Sequence, residues 1–207
     1  YSEIVAMCGG VPVVAQTKEA DGFKLTPEEL DVVITERTKC IIFNSPSNPT
    51  GMMYTRAELR ALADVCIARD IYIIADEIYY KLVYDGREFV SMAALGEDVK
   101  ERTIVINGVS KSYAMTGWRI GYSLAPAHIT KVMANYVSHS TAAPSTLSQW
   151  AAVEALTGPQ DTVETMRQAF EQRRNYMVAR VNAMKDVSCL MPEGAFYIMM
   201  NISKVLG

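Results

Sequence analysis

Three short apolar segments, rich in isoleucine and valine, constrain the fold of this chain more than any other feature. They occupy residues 39–46 (KCIIFNSP), 72–77 (YIIADE) and 103–109 (TIVINGV). Because their apolar residues are consecutive rather than alternating, the segments predict strands covered on both faces, as in a mostly parallel sheet. A helical pattern separates the first two, which predicts a strand–helix–strand unit with a right-handed connection.

The helical pattern between the first two strands has a clear start. Thr55 has the position of an N-cap, and apolar residues then recur at helical spacing, namely Leu59, Leu62, Ala63 and Cys66. A capping side chain followed by such a repeat is typical of a helix that buries one face.

The last third of the chain changes from strands to helices. Residues 144–158 predict a capped helix that ends at Gly158, and residues 159–185 predict a longer helix that bridges two domains. The longer helix has an apolar stripe formed by Val163, Met166, Phe170, Met177, Val181 and Met184. Two further strands are predicted at residues 187–192 and 194–202.

The predicted fold class is therefore α/β, in two parts. Residues 1–160 form a three-layer α/β/α large domain with a mostly parallel sheet. Residues 161–207 form the interdomain helix and the start of a smaller α+β domain. The chain has no initiator methionine, as expected of a fragment or a processed product, and it stops shortly after the last predicted strand, so the second domain is expected to be incomplete.

Composition and charge argue against several classes of partner. The net charge is -3, with acidic and basic residues interspersed, so no basic stripe is available for nucleic acid. No apolar run approaches the roughly 18 residues that a membrane span needs. Two isolated histidines do not suggest a metal site. The four cysteines are too scattered for a redox pair, and we interpret them as buried residues of a protein in a reducing compartment, the cytoplasm.

Polar side chains with chemical potential follow the three predicted strands. Asn48 follows the first strand, Asp76 and Tyr79 lie at the end of the second, and Ser110 and Lys111 follow the third. Each residue alone has an ordinary structural explanation, such as a turn, a cap or a surface charge. Together they lie at the carboxyl ends of neighbouring strands, where doubly wound sheets bind ligands.

Four motifs in this order carry a family resemblance. They are NPTG (residues 48–51), DEIY (76–79), SKSYAMTGWRIGY (110–122) and GAFY (194–197). The chain resembles the class I pyridoxal-phosphate-dependent aminotransferases of the aspartate aminotransferase family, which have fold type I. The resemblance covers nearly the whole chain, but members of the family are about twice as long. The chain is thus similar to the central portion of such an enzyme, and this portion alone is expected to be poorly active.

The resemblance implies a role for each polar residue at the strand ends. Lys111 holds the aldehyde of pyridoxal 5'-phosphate as a Schiff base and later moves a proton between substrate and cofactor. Asp76 lies beside the pyridine nitrogen and keeps it protonated. Tyr79 and Asn48 donate hydrogen bonds to the phenolic oxygen of the cofactor, and Asn48 also contacts the substrate carboxylate.

The phosphate group of the cofactor has two candidate ligands. The resemblance assigns the guanidinium of Arg119 to it, and a planar fork of donors suits a phosphate. Many relatives also have a hydroxyl three positions before the lysine, but this sequence has Gly108 there. Ser110 is the nearby alternative, and the transfer of that role to Ser110 stays open.

The resemblance implies transamination between an amino acid and a 2-oxoacid. Aspartate with 2-oxoglutarate is the best candidate pair, because residues 114–122 and 145–152 most resemble the prokaryotic aspartate group. A homodimer is expected, with residues 136–149 at its interface. One alternative is a C–S lyase of the same fold, although such enzymes tend to have histidine where this chain has Tyr79. Another is a noncatalytic aminotransferase-like module that senses a ligand.

Overall fold

The computed structural model describes residues 1–206, within which helices and strands alternate along the chain. The α-helices are α1 (Ser2–Met7), α2 (Pro27–Val33), α3 (Arg56–Ala68), α4 (Glu97–Lys100), α5 (Ala127–Ser140), α6 (Thr146–Thr157) and α7 (Asp161–Asn182). The β-strands are β1 (Cys40–Asn44), β2 (Tyr72–Asp76), β3 (Thr103–Gly108), β4 (Gly121–Leu124), β5 (Ser188–Cys189) and β6 (Met200–Asn201).

The main sheet has the strand order β1-β2-β3-β4. β1 pairs with β2 and β2 with β3 in parallel, whereas β3 and β4 are antiparallel. The predicted α/β class with a mostly parallel sheet is therefore confirmed, and the three strands predicted for this sheet agree with β1, β2 and β3 to within two residues at either end. β4 was not predicted, because its four residues include no apolar run and Tyr122 alone among them is half-buried.

The core between the sheet and its helices forms around α3. The Thr55 hydroxyl accepts from the Glu58 amide, and the Glu58 carboxylate accepts from the Thr55 amide, so the first turn has a complete capping box. The four predicted apolar residues of α3 are all buried. They pack with Ile71, Ile73 and Ala75 of the second strand region in one cluster. Burial of each leucine contributes about 2 kcal/mol to folding.

The buried face of α7 differs from the predicted stripe. Val163 and Val181 are buried as predicted, but Met177 and Met184 are 48% and 52% exposed. Arg174, which a hydrophobic pattern assigns to solvent, is instead buried. Arg174 can be buried because its charge is paired: both terminal nitrogens of the guanidinium donate to the Asp85 carboxylate.

Arg174 connects α7 to two other segments of the chain. Its Nη1 and Nη2 atoms donate to the two carboxylate oxygens of Asp85, each at 2.7 Å. Nη1 also donates to the Pro192 carbonyl at 2.8 Å, and the guanidinium lies 4.8 Å from the centroid of the Tyr84 ring. Hydrogen bonding to this guanidinium holds the pKa of Asp85 below its usual value. A buried charge with this many partners fixes the position of α7.

The segment after α7 contains less strand than predicted. β5 and β6 are two residues each and pair in antiparallel fashion, whereas residues 194–197 are not part of a strand. Their backbone groups bond to other loops instead: the Gly194 amide donates to the Gly51 carbonyl at 2.8 Å, and the Ala195 amide donates to the Leu82 carbonyl at 2.9 Å. The GAFY motif thus lies against the NPTG turn. A domain boundary between residues 160 and 161 stays a prediction.

Gly51 provides the first test of this packing. Its φ is +71°, and an added Cβ would lie 2.5 Å from Pro192 Cβ and 2.9 Å from the Gly194 oxygen. We expect Gly51→Ala to lower the free energy of unfolding by about 2–5 kcal/mol, the sum of backbone strain and overpacking. Gly86→Ala is a matched control, since Gly86 has φ +65° and open space around it. Denaturant unfolding of both full-length variants measures the difference, and equal losses would contradict the packing explanation.

The cysteines are only partly where the sequence suggested. All four are free, and Cys66 and Cys189 are buried. Cys8 and Cys40 are exposed, so their predicted burial is wrong. Cys8 follows α1, which contributes no buried residue, and Cys40 begins β1 at the edge of the sheet. Among residues 1–206, no helix combines the length and the apolar character that a membrane crossing requires.

Candidate active site

The carboxyl ends of β1 and β2 hold the first part of the site. The parallel register aligns Asn44 with Asp76. The Asn44 side chain donates to the backbone carbonyl of Asp76 at 2.9 Å and accepts from the backbone amide of Asn48 at 2.7 Å. It therefore attaches the turn that carries Asn48 to the end of the neighbouring strand. Sequence reasoning did not single out Asn44, although its place at the end of a strand was a signal.

Tyr79 is the most enclosed polar residue of the site, with 3% of its surface exposed. Its hydroxyl lies 2.7 Å from the Tyr197 hydroxyl. Burial is the main cause that raises the pKa of Tyr79, and the bond with Tyr197 adds to it, while the Asn48 amide acts in the opposite direction. The phenol is therefore protonated at neutral pH and has a hydrogen to donate.

Asp76 accepts hydrogen bonds on both carboxylate oxygens. The Tyr1 hydroxyl donates to Oδ2 at 2.5 Å, and the Ile78 amide donates to Oδ1 at 3.2 Å. Burial is the largest cause that raises the pKa of Tyr1, and the hydrogen bond to the Asp76 carboxylate raises it further. Tyr1 was missed in the sequence, because nothing local connects it with a carboxylate 75 residues away. The two donors fix the orientation of the Asp76 carboxylate.

Lys111 follows β3 and presents a half-buried amine to an aromatic ring. Its Nζ lies 5.9 Å from the centroid of the Phe196 ring. The same ring packs edge-on against Tyr79, with centroids 5.3 Å apart and an interplanar angle of 87°. Phe196 therefore contacts both the amine and the phenol. The GAFY motif pointed to this segment, but sequence reasoning gave Phe196 no role.

Ser110 and Arg119 lie at the two ends of the loop between β3 and β4. The antiparallel register pairs Gly108 with Gly121, so each of the two residues lies two positions beyond this pair. The exposed Arg119 side chain donates from Nη1 to the Thr116 carbonyl at 2.9 Å. The pairing of Gly108 with Gly121 thus holds the two ends of the loop together, and Ser110 directly precedes Lys111 in the chain.

The absence of a hydroxyl at position 108 has a steric explanation. A Cβ added to Gly108 would lie 3.1 Å from the Gly121 Cα and 3.2 Å from the Ile120 carbonyl oxygen. Such distances are shorter than ordinary carbon contacts, so the close pairing of β3 with β4 favours glycine here.

These groups lie at the carboxyl ends of β1 and β2 and on the loop that follows β3. They comprise a half-buried amine, a carboxylate with a fixed orientation, a protonated phenol, a side-chain amide, a guanidinium and a hydroxyl. Such a set can hold an electrophilic carbonyl, an acidic nitrogen and an anion at the same time. Residues 1–206 contain no group of three or more His, Cys, Asp or Glu side chains placed to hold a metal ion.

Comparison with known proteins shows which family the chain resembles in sequence. The model of the family described as aminotransferase class I and II matches residues 1–206. The aspartate aminotransferases of Geobacillus stearothermophilus and Bacillus subtilis are 51% and 50% identical to this chain, and each match covers 97% of the chain and 51% of the relative. The chain therefore spans about half the length of the curated relatives it matches.

Solved structures give the same result for the fold. The crystal structure of the aspartate aminotransferase from Rhizobium meliloti has a TM-score of 0.96 at 44% identity, covering 99% of this chain and 52% of that one. The aspartate aminotransferase from Thermus thermophilus with maleate has a TM-score of 0.91 at 40% identity, covering 99% of this chain and 53% of that one.

Proposed function

We propose that this chain, which belongs to the aminotransferase class I and II family, is part of an enzyme that transfers an amino group between an amino acid and a 2-oxoacid. Aspartate and 2-oxoglutarate are the best candidate substrates, because the relatives named above are aspartate aminotransferases. One observation carries the proposal: the Lys111 amine and the Tyr79 phenol contact the same aromatic ring, and Asp76 ends β2 three residues before that phenol. Transfer is favoured over the lyase and sensor alternatives by the same relatives.

The family implies pyridoxal 5'-phosphate as the cofactor, and the donor set fits this group. An aldehyde requires a nucleophilic amine, which Lys111 supplies. A protonated pyridine nitrogen requires a carboxylate, and the orientation of Asp76 is fixed by Tyr1 and the Ile78 amide. A phenolic oxygen requires donors, for which the Tyr79 hydroxyl and the Asn48 amide are suited. When bound, the cofactor supplies an electron-accepting ring next to the reacting carbon.

Lys111 has two tasks in the proposed reaction. Its amine would hold the cofactor covalently and, once released by the incoming amino acid, would move a proton from the substrate α-carbon to the cofactor carbon that bears the aldehyde. An amine must be unprotonated to do this. The half-buried position of Lys111 beside the Phe196 ring restricts its contact with water and keeps the amine close to the reacting atoms.

Asp76, Tyr79 and Asn48 stabilise charge in the proposed reaction. The Asp76 carboxylate favours a proton on the pyridine nitrogen, because opposite charges in a sheltered site stabilise each other. Tyr79 and Asn48 donate to the phenolic oxygen, and Asn48 also orients the substrate carboxylate. Arg119, with Ser110 beside it, binds the phosphate; their shared position at the base of one loop supports this assignment.

The experiment that tests the proposal uses the full-length protein with added cofactor. We expect a visible absorption band that borohydride abolishes, with the reduced adduct on Lys111, and conversion of aspartate and 2-oxoglutarate to oxaloacetate and glutamate. A band that no amino acid bleaches would overturn transamination in favour of a sensor. Release of a thiol and a 2-oxoacid from cysteine-type substrates, without amino transfer, would favour a lyase.

The proposed enzyme is a homodimer with residues 136–149 at its interface. Large apolar side chains in and beside this segment support the proposal: Tyr136, Leu147 and Trp150 are 73%, 77% and 71% exposed. Sedimentation of the full-length protein measures its mass, and a monomer at micromolar concentration would contradict the proposal. The expected cytoplasmic location stays a prediction.

A further inference from the structure

The hydroxyl of Tyr197 contacts Tyr79, although no role has been given to Tyr197 in the proposed reaction. The two oxygens are 2.7 Å apart, and the residues are 118 positions apart in the chain. Their rings pack edge-on, with centroids 5.7 Å apart and an interplanar angle of 86°. A contact this close to the candidate active site raises the question of which hydroxyl donates.

The position of Tyr197 is fixed by the backbone on both sides of the site. Gly194 bonds to the Gly51 carbonyl of the NPTG turn, and the Ala195 amide bonds to the Leu82 carbonyl that follows Tyr79. A Cβ added to Gly194 would lie 2.8 Å from the Leu82 oxygen, so this approach requires glycine. Tyr197 therefore cannot shift without disturbing the segments that carry Asn48 and Tyr79.

Counting donors indicates the direction of the hydrogen bond. A phenol oxygen carries one hydrogen and can accept two further hydrogen bonds. The two hydroxyl oxygens are 2.7 Å apart, and either one can donate to the other. A Tyr79 that gives its one hydrogen to a cofactor oxygen has none left for Tyr197, so Tyr197 must then be the donor of this pair. The Tyr79 hydrogen then points away from Tyr197 and toward that oxygen.

We propose that Tyr197 is a positioning residue, whose hydroxyl donates to the Tyr79 oxygen and thereby directs the Tyr79 hydrogen toward the phenolic oxygen of the cofactor. This inference rests on the proposed function, because it requires the cofactor. Without the Tyr197 hydroxyl, the Tyr79 hydrogen can rotate among several directions. The hydrogen bond to the cofactor is then formed for a smaller part of the time.

The test measures the protonation of the bound cofactor rather than its turnover. A donor on the phenolic oxygen withdraws negative charge from it, which lowers the proton affinity of the neighbouring lysine-linked nitrogen. In the full-length holoenzyme, Tyr197→Phe should therefore raise the pH midpoint of the visible band by roughly half to one unit, the effect of one hydrogen bond. The ring remains, so its packing against Tyr79 and the unfolding temperature should change little. Tyr176→Phe, which removes an exposed hydroxyl of α7, should leave the midpoint unchanged.

A double substitution separates action through Tyr79 from a direct effect. In a Tyr79→Phe background, Tyr197→Phe should cause no further shift of the midpoint, since the residue that it orients has lost its hydroxyl. An unchanged midpoint in the single variant would overturn the inference while the proposed function stands. A full second shift in the double variant would also overturn it, because Tyr197 would then act directly. A parent protein without a visible band would overturn both.

Discussion

Replacing Lys111 with alanine will lower amino transfer by the full-length protein at least about a thousandfold, because one substitution removes both the covalent attachment and the base. The visible band of the bound cofactor should also shift, since no lysine nitrogen is joined to it. Borohydride treatment should then leave no reduced adduct on the protein. The half-buried amine lies beside Phe196 at the surface of the site, so its loss leaves the core intact and the unfolding temperature nearly unchanged.

Lys185→Ala provides the control for this experiment. Lys185 is exposed just beyond the end of α7, and its loss should affect neither the band nor the rate. Steady-state rates and mass spectrometry of the reduced protein check both variants. Turnover within tenfold of the parent in Lys111→Ala would refute the assignment of Lys111 as the reactive amine.

The second large effect is expected at Asp76, where a single oxygen-to-nitrogen change removes a charge and keeps the shape. Asp76→Asn should reduce kcat by about a hundredfold to a thousandfold, because a neutral amide no longer favours the proton on the pyridine nitrogen. Cofactor content should stay close to that of the parent. Lys111 and Arg119, which attach the cofactor in the proposal, are unchanged in this variant.

Asp85→Asn is the matched control, since it removes a carboxylate of the same chain that pairs with Arg174 instead. It should lower stability, because the buried guanidinium loses its charged partner, and leave kcat nearly as it was. Absorbance at saturating cofactor and steady-state kinetics separate the two variants. Loss of cofactor in Asp76→Asn in proportion to its rate would show that Asp76 acts in binding rather than in charge stabilisation.

Much of the sheet and its first long helix was predictable because the responsible interactions are local. The capping box joins Thr55 and Glu58, three residues apart, and the buried face of α3 repeats at helical spacing. The three parallel strands follow from short runs of apolar residues. Ends of neighbouring parallel strands meet at one edge of a sheet, so the grouping of Asn48, Asp76 and Lys111 at that edge was also predictable.

The hydrogen-bond partners within the candidate site were not predictable in this way. Tyr1 bonds to Asp76 across 75 residues, and Tyr197 to Tyr79 across 118. The two residues of each pair do not share a helix, a strand or a turn, so no periodic pattern in the sequence predicts their contact. The sequence indicated that a carboxylate and a phenol were present, but their hydrogen-bond partners appeared only once the segments were packed together.

The sequence by itself determined the order of strands and helices, the local caps and turns, and the residue types that end each strand. These depend on backbone preferences and on apolar spacing over at most one or two turns of chain. Tertiary structure alone decided which charge is buried, as for Arg174 in α7, and which hydroxyls pair, as for Tyr197 and Tyr79. The reason is that burial and hydrogen-bond pairing depend on groups from distant segments of the chain. These groups interact, and so contribute to stability, only once the segments are packed together.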